Sequence, residues 1–341
     1  RCFTPHFSTA RALFAILSGI PDAQLFKFSS RNPEAVKQHT IIDNFTDYSK
    51  HYFLGGDPEF GNFQGVLNNI NGLQMHTGNR PGIPDVNVWG ISDKALFLEA
   101  NEVFRQQTKP FFAYIQTSGN HRPFDKTMAI TDTDFIRLSV GAETLKKYGF
   151  ESVDEFNAFR YFDYCVQQFL TAAQKENYFS NTIFVFVGDH GVAGNAEAVY
   201  PPVWTEQRLT DEHVPLLFYA PQLLTAQRRK EVVSQIDVLP TIAGMLHQPY
   251  VNTTLGRDLL DPSKKYHFAF ITNTADVIGM VSDDFYYTRN INSSEEQLTP
   301  MHPGASRFSK MQQDSAKKKL SEFTGAFFET AKYLIMKNDK E

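Results

Sequence analysis

Two side chains that can bind a metal ion, Asp189 and His190, stand next to each other after an apolar run. Residues 182–187 read Thr-Ile-Phe-Val-Phe-Val, which is typical of a buried β-strand. Open α/β sheets bind ligands at the carboxyl ends of their strands, and a carboxylate beside an imidazole can reach one divalent cation. A turn with a capping Asp and a surface His is the alternative. The strand and the flanking glycines, Gly188 and Gly191, favour a metal site.

A hydroxyl group at a predicted helix start, Thr9, is the next candidate. Residues 8–19 predict a helix with Ser8 or Thr9 as its N-cap and Gly19 at its end. A hydroxyl becomes a nucleophile when its proton is removed or its oxygen binds a metal. A helix N-terminus also suits a phosphate or sulfate group. Thr9 can therefore attack phosphorus if it shares a cation with the Asp-His pair; simple helix capping is the alternative.

Two further histidines lie at the ends of predicted strands. His121 is in the loop after a predicted buried strand at 110–117, and His213 comes just before a predicted strand at 214–221. Each is a candidate to bind a phosphate oxygen or to protonate a leaving group. A structural or solvated role is the alternative for each histidine taken alone. Together with Thr9 and the Asp-His pair, they place four candidate positions at element ends, where α/β active sites assemble.

The elements that must position these residues alternate between strands and helices, which implies an α/β fold with a sheet covered on both faces. The last 75 or so residues predict a small subdomain, so we divide the chain into 1–264 and 265–341. The remaining predicted elements are a long helix at 153–178, helices near 222–233 and 237–246, antiparallel strands at 266–272 and 277–288, and a terminal helix at about 315–338.

Composition narrows the possible partners. The chain has 341 residues, of which 42% are apolar, enough for a large core. Its formal net charge is −5 and it contains no basic block, so we expect no nucleic-acid partner. No apolar run is long enough to span a bilayer. Cys2 and Cys165 can pair or stay free.

The pattern resembles the sulfatase-like branch of the alkaline phosphatase superfamily, most of all the lipoteichoic acid synthase and phosphoglycerol transferase group. Phe184-Val-Phe-Val-Gly-Asp-His-Gly191 is similar to the metal motif of that family. Residues 117–124, Thr-Ser-Gly-Asn-His-Arg-Pro-Phe, resemble its Thr-x-Ser-Asn-His-x-Pro-Phe loop, whose His binds the substrate headgroup. The ten-residue interval from Thr9 to Gly19 equals the family's interval from nucleophile to glycine. Residues 234–244, 255–260 and 328–335 look like further family signatures.

The resemblance implies a fold and a reaction. The fold is a mostly parallel central sheet with helices on both faces, plus a small C-terminal antiparallel sheet with a terminal helix. The reaction is metal-dependent phosphoryl transfer or phosphodiester hydrolysis through a phosphothreonine at Thr9. Thr9, Asp189 and His190 are the expected ligands of one divalent ion: manganese, magnesium or zinc, with calcium as a further alternative. His121 and His213 are expected to bind substrate, which is a phospholipid headgroup or a phosphorylated or sulfated glycan.

The expected substrate pocket departs from the family at several positions. Lipoteichoic acid synthases have His-Gly-Asp followed by Phe-Trp-Asn-Arg, and the nearest counterpart here is Gly55-Gly56-Asp57 followed by Gly61-Asn62-Phe63-Gln64. Asp57 is kept, whereas Asn62 and Gln64 take the places of the Trp and the Arg. Since glutamine cannot reproduce the charged fork of an arginine, the headgroup is expected to differ from glycerol phosphate.

The resemblance also implies parts outside this sequence. The family's metal site has a further carboxylate on a first strand upstream of the nucleophile, and its relatives are tethered by upstream transmembrane helices. The start without Met favours a fragment. We therefore expect an extracytoplasmic domain of a bacterial inner-membrane protein, with the carboxylate and the tether upstream.

Two other functions remain alternatives at this stage. Sulfatases of the family oxidise a Cys to formylglycine, a maturation that threonine cannot undergo, which disfavours sulfate-ester hydrolysis. A lipid-binding or regulatory protein that keeps the fold without catalysis is the third possibility, because the pocket is altered and the further carboxylate is missing.

Overall fold

The structure is a computed structural model and describes residues 1–24, 27–263, 266–274 and 276–339. Its strands are β1 (Cys2–Phe3), β2 (Ser49–Leu54), β3 (Leu73–His76), β4 (Phe111–Gln116), β5 (Phe184–Val187), β6 (His213–Val214), β7 (Leu216–Tyr219), β8 (Val233–Ser234), β9 (Phe268–Thr274), β10 (Val277–Ser282), β11 (Phe285–Asn290) and β12 (Glu296–Pro300). Its α-helices are α1 (Thr9–Ser18), α2 (Phe63–Leu67), α3 (Asp93–Phe104), α4 (Ala142–Lys147), α5 (Val153–Ala173), α6 (Val203–Glu206), α7 (Val238–Met245) and α8 (Lys310–Lys337).

The strands of the α/β part form three hydrogen-bonded groups. One group is parallel throughout, in the order β3-β2-β4. In the second, β5 pairs antiparallel with β7. In the third, β1 lies between β6, which is antiparallel to it, and β8, which is parallel to it.

The C-terminal sheet is antiparallel, in the order β12-β11-β10-β9, and α8 packs against β10 and β11. The expected α/β fold with a small C-terminal antiparallel sheet and a terminal helix is therefore confirmed. Helix α8 begins with a capping box between Ser309 and Gln312, a motif that satisfies N–H groups of the first turn.

Helices cover both faces of the parallel group, as the side chains of β2 show. Successive side chains of a strand point to opposite faces. Tyr52 and Leu54 belong to the apolar cluster that contains α1, α2 and α7, whereas Phe53 belongs to the cluster that contains α3 and α5. Five of the six residues of β2 are buried. The core thus lies on both sides of this sheet, and the helix that begins at Thr9 packs against one of them.

The structure corrects several predicted elements. No helix forms near 222–233. Most of this segment is exposed, and packing supplies most helix stability in proteins; its last residue, Val233, lies in β8. The predicted strand at 277–288 is two strands, β10 and β11. The predicted strand at 214–221 is split between β6 and β7 at Pro215, which has no N–H for a ladder. Cys2 and Cys165 are both buried and free.

Crossing a bilayer requires a helix that is both long and apolar, and none within the described ranges combines the two properties.

Candidate active site

Thr9, Asp189 and His190 come together at the carboxyl end of β5. Thr9 Oγ1 donates a hydrogen bond to Asp189 Oδ2 at 2.8 Å and lies 3.4 Å from His190 Nε2. The His190 Nε2 and Asp189 Oδ2 atoms are 3.5 Å apart. Residues separated by 180 positions in the chain thus place an oxygen, an oxygen and a nitrogen at the corners of one small triangle.

Helix α1 holds Thr9 in place. Thr9 is the first residue of α1, after Ser8, whose extended backbone makes it the N-cap. Every residue from Ala10 to Ser18 is buried, so the helix is fixed inside the core. Its first-turn N–H groups have no acceptor within the helix. The nucleophile candidate therefore lies where a phosphate oxygen would meet backbone donors and the positive end of the helix dipole.

The proton positions on His190 follow from its neighbours. Its Nδ1 lies 2.8 Å from the carbonyl oxygen of Gly191. Because a carbonyl oxygen only accepts, Nδ1 carries the proton, and the lone pair of Nε2 faces Thr9. The backbone N–H of His190 donates to Asp189 Oδ1 at 2.8 Å, which leaves Oδ2 for the Thr9 hydroxyl.

Gln235 supports the turn that carries the Asp-His pair. Its side-chain Nε2 donates to the backbone carbonyl oxygens of Gly188 and, at 2.6 Å, Asp189. Gln235 is fully buried, and 46 residues separate it from Asp189. Reasoning from the sequence missed this residue; its only signal was its place in the signature at 234–244.

Gly191 is required by a close backbone approach. Its N–H donates to the carbonyl oxygen of Asp211 at 2.7 Å. A Cβ at this position would lie 1.9 Å from the carbonyl oxygen of Thr210. The glycine after His190 thus lets the loop that carries Asp189 and His190 pack directly on the segment that leads to His213.

Most of the predicted site residues share one cavity of about 2100 Å³. We call Thr9, Asp189 and His190 together the Thr9 centre. All three line this cavity, as do Asp57, His121 and His213. Asn62 and Gln64 are not part of the cavity wall. Asn62 is the N-cap residue of α2, and its side-chain amide donates to the carbonyl oxygen of Ser30. Asp57 is exposed and accepts the Glu59 N–H at 2.8 Å.

His121 lies on an aromatic ring in the exposed part of the cavity. Its imidazole packs on Trp89 with ring centroids 4.1 Å apart, and its Nδ1 donates to the carbonyl oxygen of Arg122 at 2.7 Å. The carboxylate of Asp93 fixes the loop that contains His121, because it accepts hydrogen bonds from the backbone N–H groups of Ser118 and Gly119. Burial raises the pKa of Asp93 to about 6.

His213 and His6 are neutral histidines close to the site. Burial, with the amino terminus and the charge of Arg1 nearby, lowers the pKa of His213 to about 4. Burial, with Arg11 and His190 nearby, lowers the pKa of His6 to about 3. His6 was missed from the sequence, although it stands only three residues before Thr9.

The donor set suits a divalent cation. Within the described residues no group of three or more His, Cys, Asp or Glu side chains is arranged to hold a metal ion; the Thr9 centre has two such side chains and a hydroxyl. A carboxylate, an imidazole and a hydroxyl are ligands for a hard or borderline ion. Because Nδ1 of His190 carries the proton, the lone pair of Nε2 is available to an ion. The backbone hydrogen bond to Asp189 Oδ1 leaves Oδ2 as the second ligand atom.

The fold and this centre define a member of the alkaline phosphatase superfamily, sulfatase branch. The sequence pattern of the sulfatase family matches residues 1–248, and the chain belongs to that family. Lipoteichoic acid synthase 1 of Bacillus subtilis is 24% identical over 74% of this chain and 39% of its own length. Lipoteichoic acid synthase 2 of the same organism is 27% identical over 46% of this chain and 24% of its own length. The chain thus spans about two fifths or less of these relatives.

Solved structures share the fold. A Vibrio parahaemolyticus protein of the alkaline phosphatase superfamily has a TM-score of 0.68 and 21% identity, with 97% of this chain and 78% of that chain covered. The lipoteichoic acid synthase LtaP from Listeria monocytogenes has a TM-score of 0.69 and 16% identity, with coverages of 96% and 82%. A 2-O GAG sulfatase has a TM-score of 0.62 and 14% identity, with coverages of 97% and 84%. The chain is thus related to both lipoteichoic acid synthases and sulfatases.

Proposed function

We propose that this chain is a metal-dependent phosphotransferase or phosphodiesterase whose nucleophile is Thr9. The observation that carries the proposal is the Thr9 hydroxyl, 2.8 Å from Asp189 Oδ2 and 3.4 Å from His190 Nε2, at the first turn of a buried helix. A bound divalent ion would lower the pKa of the hydroxyl and neutralise charge on the phosphate oxygens. Manganese, magnesium and zinc all fit this donor set.

The residues of the chain then have separate roles. Asp189 Oδ2 accepts the proton of the Thr9 hydroxyl as Oγ1 attacks phosphorus. The bond from phosphorus to the leaving alcohol breaks, and His121 on the cavity wall protonates the alcohol oxygen, whereas the neutral His213 binds a phosphate oxygen. An acceptor hydroxyl or water next attacks the phosphothreonine and gives its proton to the histidine that protonated the alcohol. The Thr9 Oγ1–phosphorus bond breaks, and Oγ1 takes back its proton from Asp189.

The substrate we propose is a phospholipid headgroup or a phosphorylated glycan. The first turn of α1 is suited to the phosphate, and His121 on Trp89 forms an exposed wall for the rest of the headgroup. Asn62 and Gln64 lie off the cavity wall, so they are not needed for this proposal. The choice of substrate follows from the relationship to lipoteichoic acid synthases. On the same basis we propose that the chain lies outside the cytoplasm and is tethered to a membrane.

The test compares two substitutions of neighbouring hydroxyls. We expect Thr9→Ala to lower turnover of bis-p-nitrophenyl phosphate with Mn²⁺ by at least 10³-fold, because nucleophile and ligand are both lost. Ser8→Ala is the matched control, because the Ser8 side chain makes no capping hydrogen bond, and it should keep its activity. Mass spectrometry of acid-quenched enzyme should find one p-nitrophenyl phosphate group on the peptide that contains Thr9, because attack on the diester expels only one of its two p-nitrophenol groups. Unchanged turnover in Thr9→Ala would refute the threonine nucleophile.

The same assay separates sulfate from phosphate esters. The chain belongs to the sulfatase family, so p-nitrophenyl sulfate is the competing substrate. A threonine cannot be oxidised to formylglycine, and we therefore expect turnover of the sulfate to be far slower than that of the phosphodiester. Faster turnover of the sulfate would overturn the proposed reaction, and absence of both activities with a loaded metal site would favour a binding protein.

A further inference from the structure

Three aromatic rings meet in the exposed part of the cavity that contains the Thr9 centre. The Trp89 ring contacts the other two: its centroid is 4.1 Å from that of His121 and 5.1 Å from that of Phe60. The planes of Phe60 and Trp89 are almost perpendicular, at 85°. All three residues line the cavity, and Phe60 is 49% exposed. The proposed reaction uses only the histidine, which leaves Phe60 and the open part of Trp89 without a role.

Hydrogen bonds and a close backbone approach hold Trp89 in a fixed position. Its indole Nε1 donates to the carbonyl oxygen of Arg122 at 2.7 Å, and its backbone N–H donates to Asn87 Oδ1 at 2.8 Å. Its own carbonyl oxygen lies so close to Gly56 that a Cβ there would be 2.4 Å away. The ring is thus oriented before a ligand arrives, which lowers the cost of binding. Because Gly56 contacts Trp89, the next residue, Asp57, lies beside the rings, and we call Phe60, Trp89 and Asp57 the aromatic corner.

Asp57 gives this corner a negative charge. Its Oδ1 accepts the backbone N–H of Glu59 at 2.8 Å, and none of the ion pairs within the described residues includes it. Of the lysines and arginines that the structure describes, only Lys109 lines the cavity. Lys109 precedes β4 and His121 follows it, and the six residues of that strand span about 20 Å. The corner is therefore far from the basic end of the cavity.

The arginine that follows His121 does not change this balance. The Nε of Arg122 donates to Glu151 Oε1 at 3.0 Å, and its guanidinium lies over the ring of Phe124. Arg122 is not part of the cavity wall. A ligand group in the corner therefore meets aromatic rings and a carboxylate.

An ammonium group is the chemistry that fits these surroundings. A cation is attracted to the faces of aromatic rings, and aromatic cages bind quaternary ammonium groups in this way. The same cation is attracted to a carboxylate. A second anionic group would be repelled by Asp57, and a neutral alcohol would gain only hydrogen bonds.

We propose that Phe60, Trp89 and Asp57 bind an ammonium group, so that the substrate is a phosphodiester of an amino alcohol such as ethanolamine or choline. The proposal rests on the proposed function, because it takes the phosphate to be bound at the Thr9 centre. It narrows the proposed substrates to a zwitterionic phospholipid headgroup.

Titration with two phosphates of the same shape tests the proposal. Phosphocholine carries a quaternary ammonium group, and neohexyl phosphate has a carbon atom in place of that nitrogen. We expect phosphocholine to bind about tenfold more tightly to the chain loaded with Mn²⁺, at pH 8, where both phosphates are dianions. Tryptophan fluorescence measures both affinities, because Trp204, the only other tryptophan in the sequence, is 3% exposed. Equal affinities would overturn the proposal.

Three variants locate the bound cation. Asp57→Asn should bring the affinity for phosphocholine close to that for neohexyl phosphate. Glu59→Gln is the matched control, because it removes the same charge off the cavity wall, and it should keep the preference. Phe60→Leu replaces a ring by an apolar side chain, so it should weaken phosphocholine binding about threefold and leave neohexyl phosphate unaffected. A preference that persists in both Asp57→Asn and Phe60→Leu would overturn the proposal.

Two further comparisons complete the test. Tighter binding of glycerol phosphate than of phosphocholine would assign the corner to a neutral polyol and overturn the ammonium site. Turnover of bis-p-nitrophenyl phosphate is measured on the same preparation. An active enzyme without the preference would overturn the ammonium site alone, whereas the preference in a chain without turnover would support the site and refute the proposed reaction.

Discussion

Substitution of Gln235 tests whether its hydrogen bonds to the turn before His190 are needed to position Asp189 and His190. The Gln235 amide donates to the carbonyl oxygens of Gly188 and Asp189 from a fully buried position. Gln235→Ala leaves two carbonyl groups without this donor, and each lost bond costs about 1–1.5 kcal/mol. We therefore expect the free energy of unfolding to fall by about 2–3 kcal/mol in urea titrations.

A second glutamine provides the matched control. Gln38 is also buried, and its Nε2 donates to the carbonyl oxygens of Ala35 and Ile335, both at 2.8 Å. Because Asn338 Nδ2 also donates to Gln38 Oε1 at 3.0 Å, Gln38→Ala should lose at least as much stability while the Thr9 centre stays intact. Only Gln235→Ala should lower the affinity for Mn²⁺, by roughly 10–100-fold, in isothermal titration calorimetry below the unfolding range of both variants. Equal Mn²⁺ affinity in the two variants would refute the idea that the amide positions Asp189 and His190.

Three further substitutions test packing and charge. Gly191→Ala adds a Cβ 1.9 Å from the Thr210 carbonyl oxygen, so thermal unfolding should show a loss of about 1–3 kcal/mol, and a smaller loss would mean that the loop moves freely. The pKa of His213, about 4, lies below its ordinary value because of burial; its contribution to stability is complete above pH 6.5 and is lost as pH falls toward 4. His213→Gln should therefore remove about 3 kcal/mol of the pH dependence of unfolding in that window, and an unchanged slope would contradict this. Burial raises the pKa of Glu212 to about 8, so its contribution is complete below pH 4.5 and is lost as pH rises toward 8. Glu212→Gln should flatten stability between these values by about 5 kcal/mol, whereas parallel curves for variant and wild type would refute the assignment.

Local signals in the sequence were enough to predict the strand that precedes the Asp-His pair and the helix that begins at Thr9. A β-branched and aromatic run followed by Gly-Asp-His predicted a strand end, and β5 ends at Val187, directly before it. An apolar run closed by Gly19 predicted α1, whose C-cap is Gly19 in the left-handed conformation. Both features depend on residues that are close together in the sequence, and they could therefore be predicted from it.

Contacts across the chain were not readable in this way. Gln235 acts on carbonyl groups 46 and 47 residues away, and a buried glutamine has no local signature of its own. Likewise, β10 and β11 were predicted as one strand because β-forming residues lie on both sides of the turn at Asp283 and Asp284. The aspartates of the turn carried the only signal that separates the two strands.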